Sequence, residues 1–241
     1  MLKKYPKRRI ELPDNYLKIY SEHYKSNREG DTSAASLSKK MESWMHKKVA
    51  QDVINDKNKS TLEIGAGTLN QLTYENPVPY DIIEPFTELY QNSKLLDNIN
   101  EIYNDIENVP ETKKYERITS VATFEHILNL PTVVAKTCLL LDKDGTLRAS
   151  IPNEGSILWT LGWKLTTGVE FRLKYGLKYG LLMKYEHVNS AKEIIEVIKY
   201  FYKNVKCSYF GINKTLAFYI FLECSNPNID LAKEYLNNSL N

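Results

Sequence analysis

From Ser60 onward the chain alternates short apolar runs, bounded by turn residues, with longer stretches at helical spacing. Thr61–Ile64, Tyr80–Ile83, Glu101–Tyr103 and residues 117–122 and 146–151 have strand length and predict five strands. Residues 130–141 predict a helix between the fourth and fifth, closed by a turn at Asp144 and Gly145. Such alternation predicts a parallel sheet with crossover helices, because neighbouring parallel strands cannot be joined by a hairpin. Residues 190–202 predict an amphipathic helix with Ser190 as cap and Glu193 three positions on, the pattern of a capping box. Residues 205–210 and 216–224 predict two closing strands, and the short turn through Gly211 and Asn213 makes them antiparallel.

Upstream, residues 1–57 read as a helical cap. Tyr16, Tyr20 and Tyr24 recur every four residues and predict a helix ending near Gly30. Asp31, Thr32 and Ser33 offer caps for a second, running to about Ile54, with Leu37, Met41, Trp44, Met45, Lys48 and Val49 at helical spacing. Residues 155–185 are rich in Leu, Trp, Tyr and Gly without a clean period. They are expected to form an insertion over 155–189 in a domain spanning 58–241, which makes one folding unit with the cap.

Composition narrows the function classes. A chain of 241 residues, 42% hydrophobic, is long enough to bury a core without disulfides or structural metal. Cys138, Cys207 and Cys224 are odd in number, widely spaced and set in apolar segments, so reduced core thiols are expected. The 32 Lys+Arg and 30 Asp+Glu nearly cancel and no basic stripe forms, which argues against a nucleic-acid partner. Lys3, Lys4, Lys7, Arg8 and Arg9 are the one local excess and are expected to be a solvated terminus. No apolar run approaches the roughly 18 residues of a membrane-spanning helix. The basic start leads into Glu11, Pro13 and Asp14 rather than an apolar signal region, so a cytoplasmic location without an integral membrane segment is expected.

The most informative segment is Thr61-Leu62-Glu63-Ile64-Gly65-Ala66-Gly67-Thr68-Leu69-Asn70. A strand entering a glycine turn lets backbone approach a ligand closely. A dehydrogenase fingerprint would want a third glycine at Asn70, and Glu63 would be badly placed against a pyrophosphate but suits a ligand bearing an ammonium and a sulfonium. Glu84, in Ile83-Glu84-Pro85-Phe86, ends the second strand, where a carboxylate can accept from both hydroxyls of a ribose. Asp105 after the third strand could take an adenine amino group, with Phe86 and Ile106 offering apolar faces to the ring.

Glu-x-Gly-x-Gly, an acid at the second strand end, Asp after the third, and Thr123-Phe124-Glu125-His126 after the fourth together resemble a class I S-adenosylmethionine-dependent methyltransferase over roughly residues 58–224. The resemblance implies a three-layer, Rossmann-like α/β fold with sheet order 3-2-1-4-5-7-6 and strand 7 reversed. It implies a cofactor site of Glu63, Gly65, Ala66, Gly67, Glu84, Pro85, Phe86, Asp105, Ile106, Ala122, Thr123 and Phe124, with S-adenosylhomocysteine as product. Residues 122–126 and Glu186-His187-Val188-Asn189 look most like the type 11/12 methyltransferases associated with bacterial surface-polysaccharide synthesis. The usual third glycine of this family falls at Leu69, and Pro77 and Pro79 cut short the helix that normally follows.

Methyl transfer to a hydroxyl needs alignment and a base. Of four histidines, His23 and His46 lie in the cap and suit surface or packing roles. His187, with Glu186 or another carboxylate to orient it, is expected to be the base, and His126 to line the cofactor edge. Trp159, Trp163 and Tyr185 suit a ring-bearing acceptor, expected to be a nucleotide-linked or lipid-linked sugar, with an aromatic or amine metabolite as the runner-up. No metal is expected, since zinc spacings such as Cys-x-x-Cys are absent, and no Pro-Pro-Tyr motif follows the fourth strand to hold a flipped base. The different-class alternatives are an NAD(P)-dependent oxidoreductase and a non-catalytic cofactor-binding protein.

Overall fold

The computed structural model describes residues 2–20, 35–55, 58–75 and 79–239. Residues 14–20 are helical (α1), followed by α2 (Ala35–Ala50). His23, Tyr24, Gly30, the caps at Asp31, Thr32 and Ser33, and Pro77 lie outside the described residues, as does the side chain of Leu37. Then come β1 (Thr61–Ile64), β2 (Tyr80–Ile83), β3 (Glu101–Tyr103), β4 (Tyr115–Val121), α3 (Leu130–Leu140) and β5 (Leu141–Pro152). Three short helices follow, α4 (Ile157–Leu165), α5 (Thr167–Tyr175) and α6 (Tyr179–Glu186), and the chain closes with α7 (Ala191–Phe201), β6 (Tyr202–Gly211), β7 (Ala217–Pro227) and α8 (Ile229–Ser239).

The sheet has the order β3-β2-β1-β4-β5-β7-β6, with β7 reversed and antiparallel to both β5 and β6. This is the Rossmann-like arrangement expected from the sequence. Leu62, Ile64, Ile118, Leu147 and Ala149 point to one face, where α3, α7 and α8 complete the main core with Val134, Cys138, Ile194 and Ile198. The capping box forms as read: Ser190 accepts from the Glu193 amide, and the Glu193 carboxylate accepts from the Ser190 amide.

Three expectations are corrected. Asp144 and Gly145 lie inside β5 rather than in a turn, at an irregularity in its pairing with β4, and a Cβ at Gly145 would come within 2.9 Å of the Tyr115 carbonyl. The β1–β2 and β2–β3 connections are 3₁₀ turns (Asn70–Thr73, Thr87–Leu89 and Leu96–Asn98) rather than crossover helices. Pro79 follows the first of these, and its carbonyl accepts from the Thr61 amide. The basic terminus is not simply solvated: Lys4 and Lys7 pair with Glu193 at 2.5 and 2.8 Å, and Arg9 is half-buried.

The opposite face of the sheet carries α2 against β4, β5 and β7. Its centre is ionic. Arg117 on β4 reaches Glu75 at 2.6 and 2.9 Å, Thr61 at 3.2 Å and the Val49 carbonyl at 3.1 Å. Arg148 on β5 donates to the Val49 and Lys48 carbonyls, both at 2.9 Å, and Asp52 lies within 3.2 Å of both arginines. Two guanidinium groups thereby satisfy the last carbonyls of α2, which orphan acceptors and the helix dipole both favour.

Candidate active site

The carboxyl edge of the sheet gathers the predicted residues. Gly65 and Gly67 take φ of +74° and +53°, left-handed backbone that glycine adopts without penalty. The Thr123 side chain fills the space a Cβ at Gly65 would need, 2.3 Å from its position, and Ala122 (φ +49°) turns the chain out of β4 to put Thr123 there. Leu69 takes φ of +65°, so the position where the resembling family has its third glycine does require left-handed backbone here. Ala66 and Leu69 are buried with Leu72, Tyr80, Ile82 and Tyr90, whose packing offsets the strain.

Glu84 latches the loop. Its two carboxylate oxygens accept from the Gly67 amide at 2.8 Å and the Phe86 amide at 3.1 Å, and each keeps a lone pair for a further donor. Pro85 and Phe86 are exposed beside it. Asp105 is exposed and caps the turn Ile106–Asn108 by accepting from the Glu107 amide at 2.9 Å. Ile106 and Phe124 are buried in the main core, which leaves Phe86 as the exposed ring face. Glu63 is enclosed within the sheet and accepts from the Tyr80 hydroxyl at 3.0 Å. Burial, reinforced by the Glu75 charge, pushes its carboxyl up to about 8, which favours the neutral form.

Beyond Thr123 lies a cluster of acids and imidazoles. The His126 and His187 rings meet edge to face with centroids 4.9 Å apart. His126 Nδ1 lies 3.0 Å from the Glu186 carbonyl and His187 Nδ1 lies 3.1 Å from Glu154 Oε2. With a proton on each Nδ1, both rings keep Nε2 as the basic nitrogen. Desolvation lowers the His187 pKa, but its hydrogen bond to Glu154 and the charges of Glu125, Glu154 and Glu186 outweigh it, and the net shift is upward. Glu125 is buried, with Oε2 lacking a partner, and burial pushes it up to about 7. Glu125, His126 and His187 are the one group among the described residues that could hold a metal ion, with ligand atoms within 4.8 Å of one another.

Of the two alternatives for a carboxylate beside His187, Glu186 or another, it is Glu154, which follows β5, that makes the side-chain hydrogen bond, whereas Glu186 contributes its backbone carbonyl to His126. Trp159 stacks over His187 at 6.4 Å and its indole also donates to Glu154. Trp163 packs against Tyr179 and Tyr185 against Arg9 and Tyr20, in the aromatic cluster around Phe171 that Trp159 also joins. Asn189 is a site residue the sequence reading missed. Fully buried, it donates to the Phe124 and Ile127 carbonyls at 2.9 and 2.7 Å, tying the two histidine loops together.

No family model matches the chain, and no curated protein matches it in sequence. Solved structures do match. A S-adenosylmethionine-dependent methyltransferase from Thermotoga maritima superposes with a TM-score of 0.58 at 11% identity, over 88% of this chain and 97% of that one. The plantazolicin methyltransferase BpumL, in complex with S-adenosylhomocysteine and a monoazolic desmethylPZN analogue, gives 0.59 at 14%, over 88% and 95%. The N-methyltransferase NodS from Bradyrhizobium japonicum, in complex with S-adenosylhomocysteine, gives 0.56 at 14%, over 90% and 100%. With the strand order, these likenesses establish the class I methyltransferase fold.

Proposed function

We propose that the protein is a S-adenosylmethionine-dependent methyltransferase acting on a hydroxyl of a small molecule, a nucleotide-linked or lipid-linked sugar of bacterial surface-glycan synthesis, with His187 as general base. The observation that carries this reading is the position of the Glu154–His187 pair at the same sheet edge as the glycine loop latched by Glu84. The residues present fit the cofactor: Glu84 retains acceptor capacity for two ribose hydroxyls, Phe86 offers a ring face for adenine, and Asp105 an acceptor for its amino group. Gly65, Ala66, Gly67 and Thr123 supply the close backbone wall. S-adenosylmethionine, when bound, supplies an electrophilic methyl group on a sulfonium.

A sugar hydroxyl does not ionise at neutral pH, so its proton must leave as the carbon–oxygen bond forms. His187 Nε2 takes that proton while Glu154 holds the ring through Nδ1 and stabilises the imidazolium, the logic of a carboxylate–histidine pair. Trp159, stacked on His187, covers the acceptor side.

Titration calorimetry with S-adenosylhomocysteine tests the cofactor site: saturable binding is expected, abolished in Glu84→Ala and in Gly67→Arg. No binding at millimolar ligand refutes the reading, and binding of NADH in its place would make the protein an oxidoreductase. Transfer of labelled methyl to a polysaccharide precursor supports the acceptor class. Transfer only to an amine or aromatic metabolite overturns it, and binding without any transfer leaves a non-catalytic cofactor-binding protein.

A further inference from the structure

The 155–185 segment has two apolar faces, and the fold uses one. Trp159 and Trp163 on α4, and Phe171 and Tyr175 on α5, pack inward on the aromatic cluster. About half a turn away, Ile157, Leu161 and Leu165 recur every four residues along α4, and Val169 and Leu173 do so along α5. These side chains stand in solvent: Ile157, Leu165 and Leu173 are 70%, 71% and 83% exposed. Ile212 and Leu216, at the β6–β7 tip, are exposed as well, and Asn153 ties that tip, through the Lys214 carbonyl, to the segment entering α4. Isolated exposed leucines need no explanation, but a stripe repeated on two successive helices marks an interaction surface.

The charge around the stripe identifies the partner. Lys164 shares the outer face of α4, Arg172 and Lys174 flank Leu173, and Lys178 and Lys184 follow, all exposed. Glu170 is the single acid between residues 155 and 185, in a chain whose charges otherwise nearly cancel. Two copies of so basic a face repel each other, which disfavours self-association. Four of the five cations are lysines, a residue depleted from protein–protein interfaces but suited to lipid phosphates. We propose that the outer face of α4 and α5 docks on an anionic membrane surface, with the aliphatic stripe entering the headgroup boundary and the lysines and Arg172 pairing with lipid phosphates. Trp159, on the inner face of α4, stacks on His187, so docking would place the acceptor side of the site next to the bilayer. That consequence favours a lipid-linked acceptor and rests on the proposed methyl transfer, whereas the docking itself does not.

Flotation of the full chain with phosphatidylcholine vesicles, with and without phosphatidylglycerol, tests the surface and needs no methyl donor. Binding is expected only with the anionic lipid, weakening at least about tenfold when salt rises from about 0.05 to 0.5 M. Leu165→Ser with Leu173→Ser, and separately Lys164→Glu with Lys174→Glu, should each weaken it about tenfold or more while leaving the thermal midpoint within about 2 °C, since all four side chains are exposed. No binding to anionic vesicles at low salt overturns the proposal. So does binding that both double variants leave intact, or a dimer in sedimentation that the serine variant dissociates.

Discussion

At the scale of single residues, the pH response of the site follows from the His187 pair. A base must be neutral to accept a proton, and the pKa of His187 is raised by Glu154 and the nearby acids. The expected kcat/KM therefore climbs with pH through a limb above 6.5, and Glu154→Gln moves that limb toward lower pH because the largest stabiliser of the imidazolium is lost. His187→Ala should lose about 10²–10⁴ in turnover with unchanged cofactor affinity. The same pair acts on stability in the opposite sense. A histidine whose folded pKa exceeds its unfolded value contributes stability that is fully present below about 6.5 and is lost as pH rises through the folded value. A pH–rate profile whose limb is the same in wild type and Glu154→Gln would detach Glu154 from the mechanism. The sequence made His187 visible as a candidate, but its partner stands 33 positions away in the chain. The signal that could have found it is the place of Glu154 just past the carboxyl end of the fifth strand, where open α/β folds bind ligands. The fate of Glu63 was not legible, because an acid near a glycine turn reads the same whether it faces a ligand or, as here, a buried tyrosine hydroxyl.

At the scale of elements, residues 2–9 act as a strap. Tyr5 donates to Asn189 at 3.0 Å and Lys7 to the Val188 carbonyl at 2.6 Å, while Arg9 donates to the carbonyls of Tyr185 at 2.6 Å, Glu186 at 3.3 Å and His126 at 3.3 Å. Arg9 thus binds both histidine-bearing loops from outside the site, as a positioning residue. Arg9→Ala is expected to cut turnover by about ten- to a hundredfold, in line with the cost of small misplacements, while S-adenosylhomocysteine affinity holds and the pH limb shifts; Arg9→Lys should recover part of the loss. Wild-type turnover in Arg9→Ala would reduce the strap to a structural contact. The strap was illegible because a basic terminus looks the same in sequence whether its partners are water or backbone carbonyls. The first three strands were legible to the residue and β4 within two, since burial leaves short continuous apolar runs, whereas β5 begins at Leu141, ahead of the expected start, because Asp142, Lys143, Asp144 and Gly145 read as a turn. Helices α4 and α5 were not legible, because two apolar faces on one helix erase the period that marks an ordinary surface helix. Helix α8 was not expected, and it buries only Ala232 completely.

At the scale of the whole molecule, the two faces of the sheet are held by different physics. The α3, α7 and α8 face is an aliphatic core, whereas the α2 face depends on Arg117 and Arg148 crossing the strands to Glu75, Asp52 and Glu223. On this face the 3₁₀ turns supply a small apolar cluster over β2, with Leu69, Leu72, Tyr80, Ile82 and Tyr90, and Arg117 carries the ionic network from β4 to β1 through Thr61. The desolvation of so many charges makes the network a poor source of net stability, yet breaking it at one end is costly. Arg117→Met leaves Glu75 buried without its counter-ion and leaves Arg148 as the one guanidinium on the Val49 carbonyl at the end of α2, so a loss of about 3–5 kcal/mol is expected. For a chain of this size that lowers the thermal midpoint by roughly 6–20 °C. Adding Glu75→Leu removes the stranded charge and should return much of the lost stability, although Thr61 and Val49 stay unpaired by Arg117. The non-additivity of the two changes in denaturant unfolding is the diagnostic quantity. If the double variant is as unstable as the sum of the singles, the arginine is holding α2 through the Val49 carbonyl, and the carboxylate of Glu75 does not drive the assembly of that face.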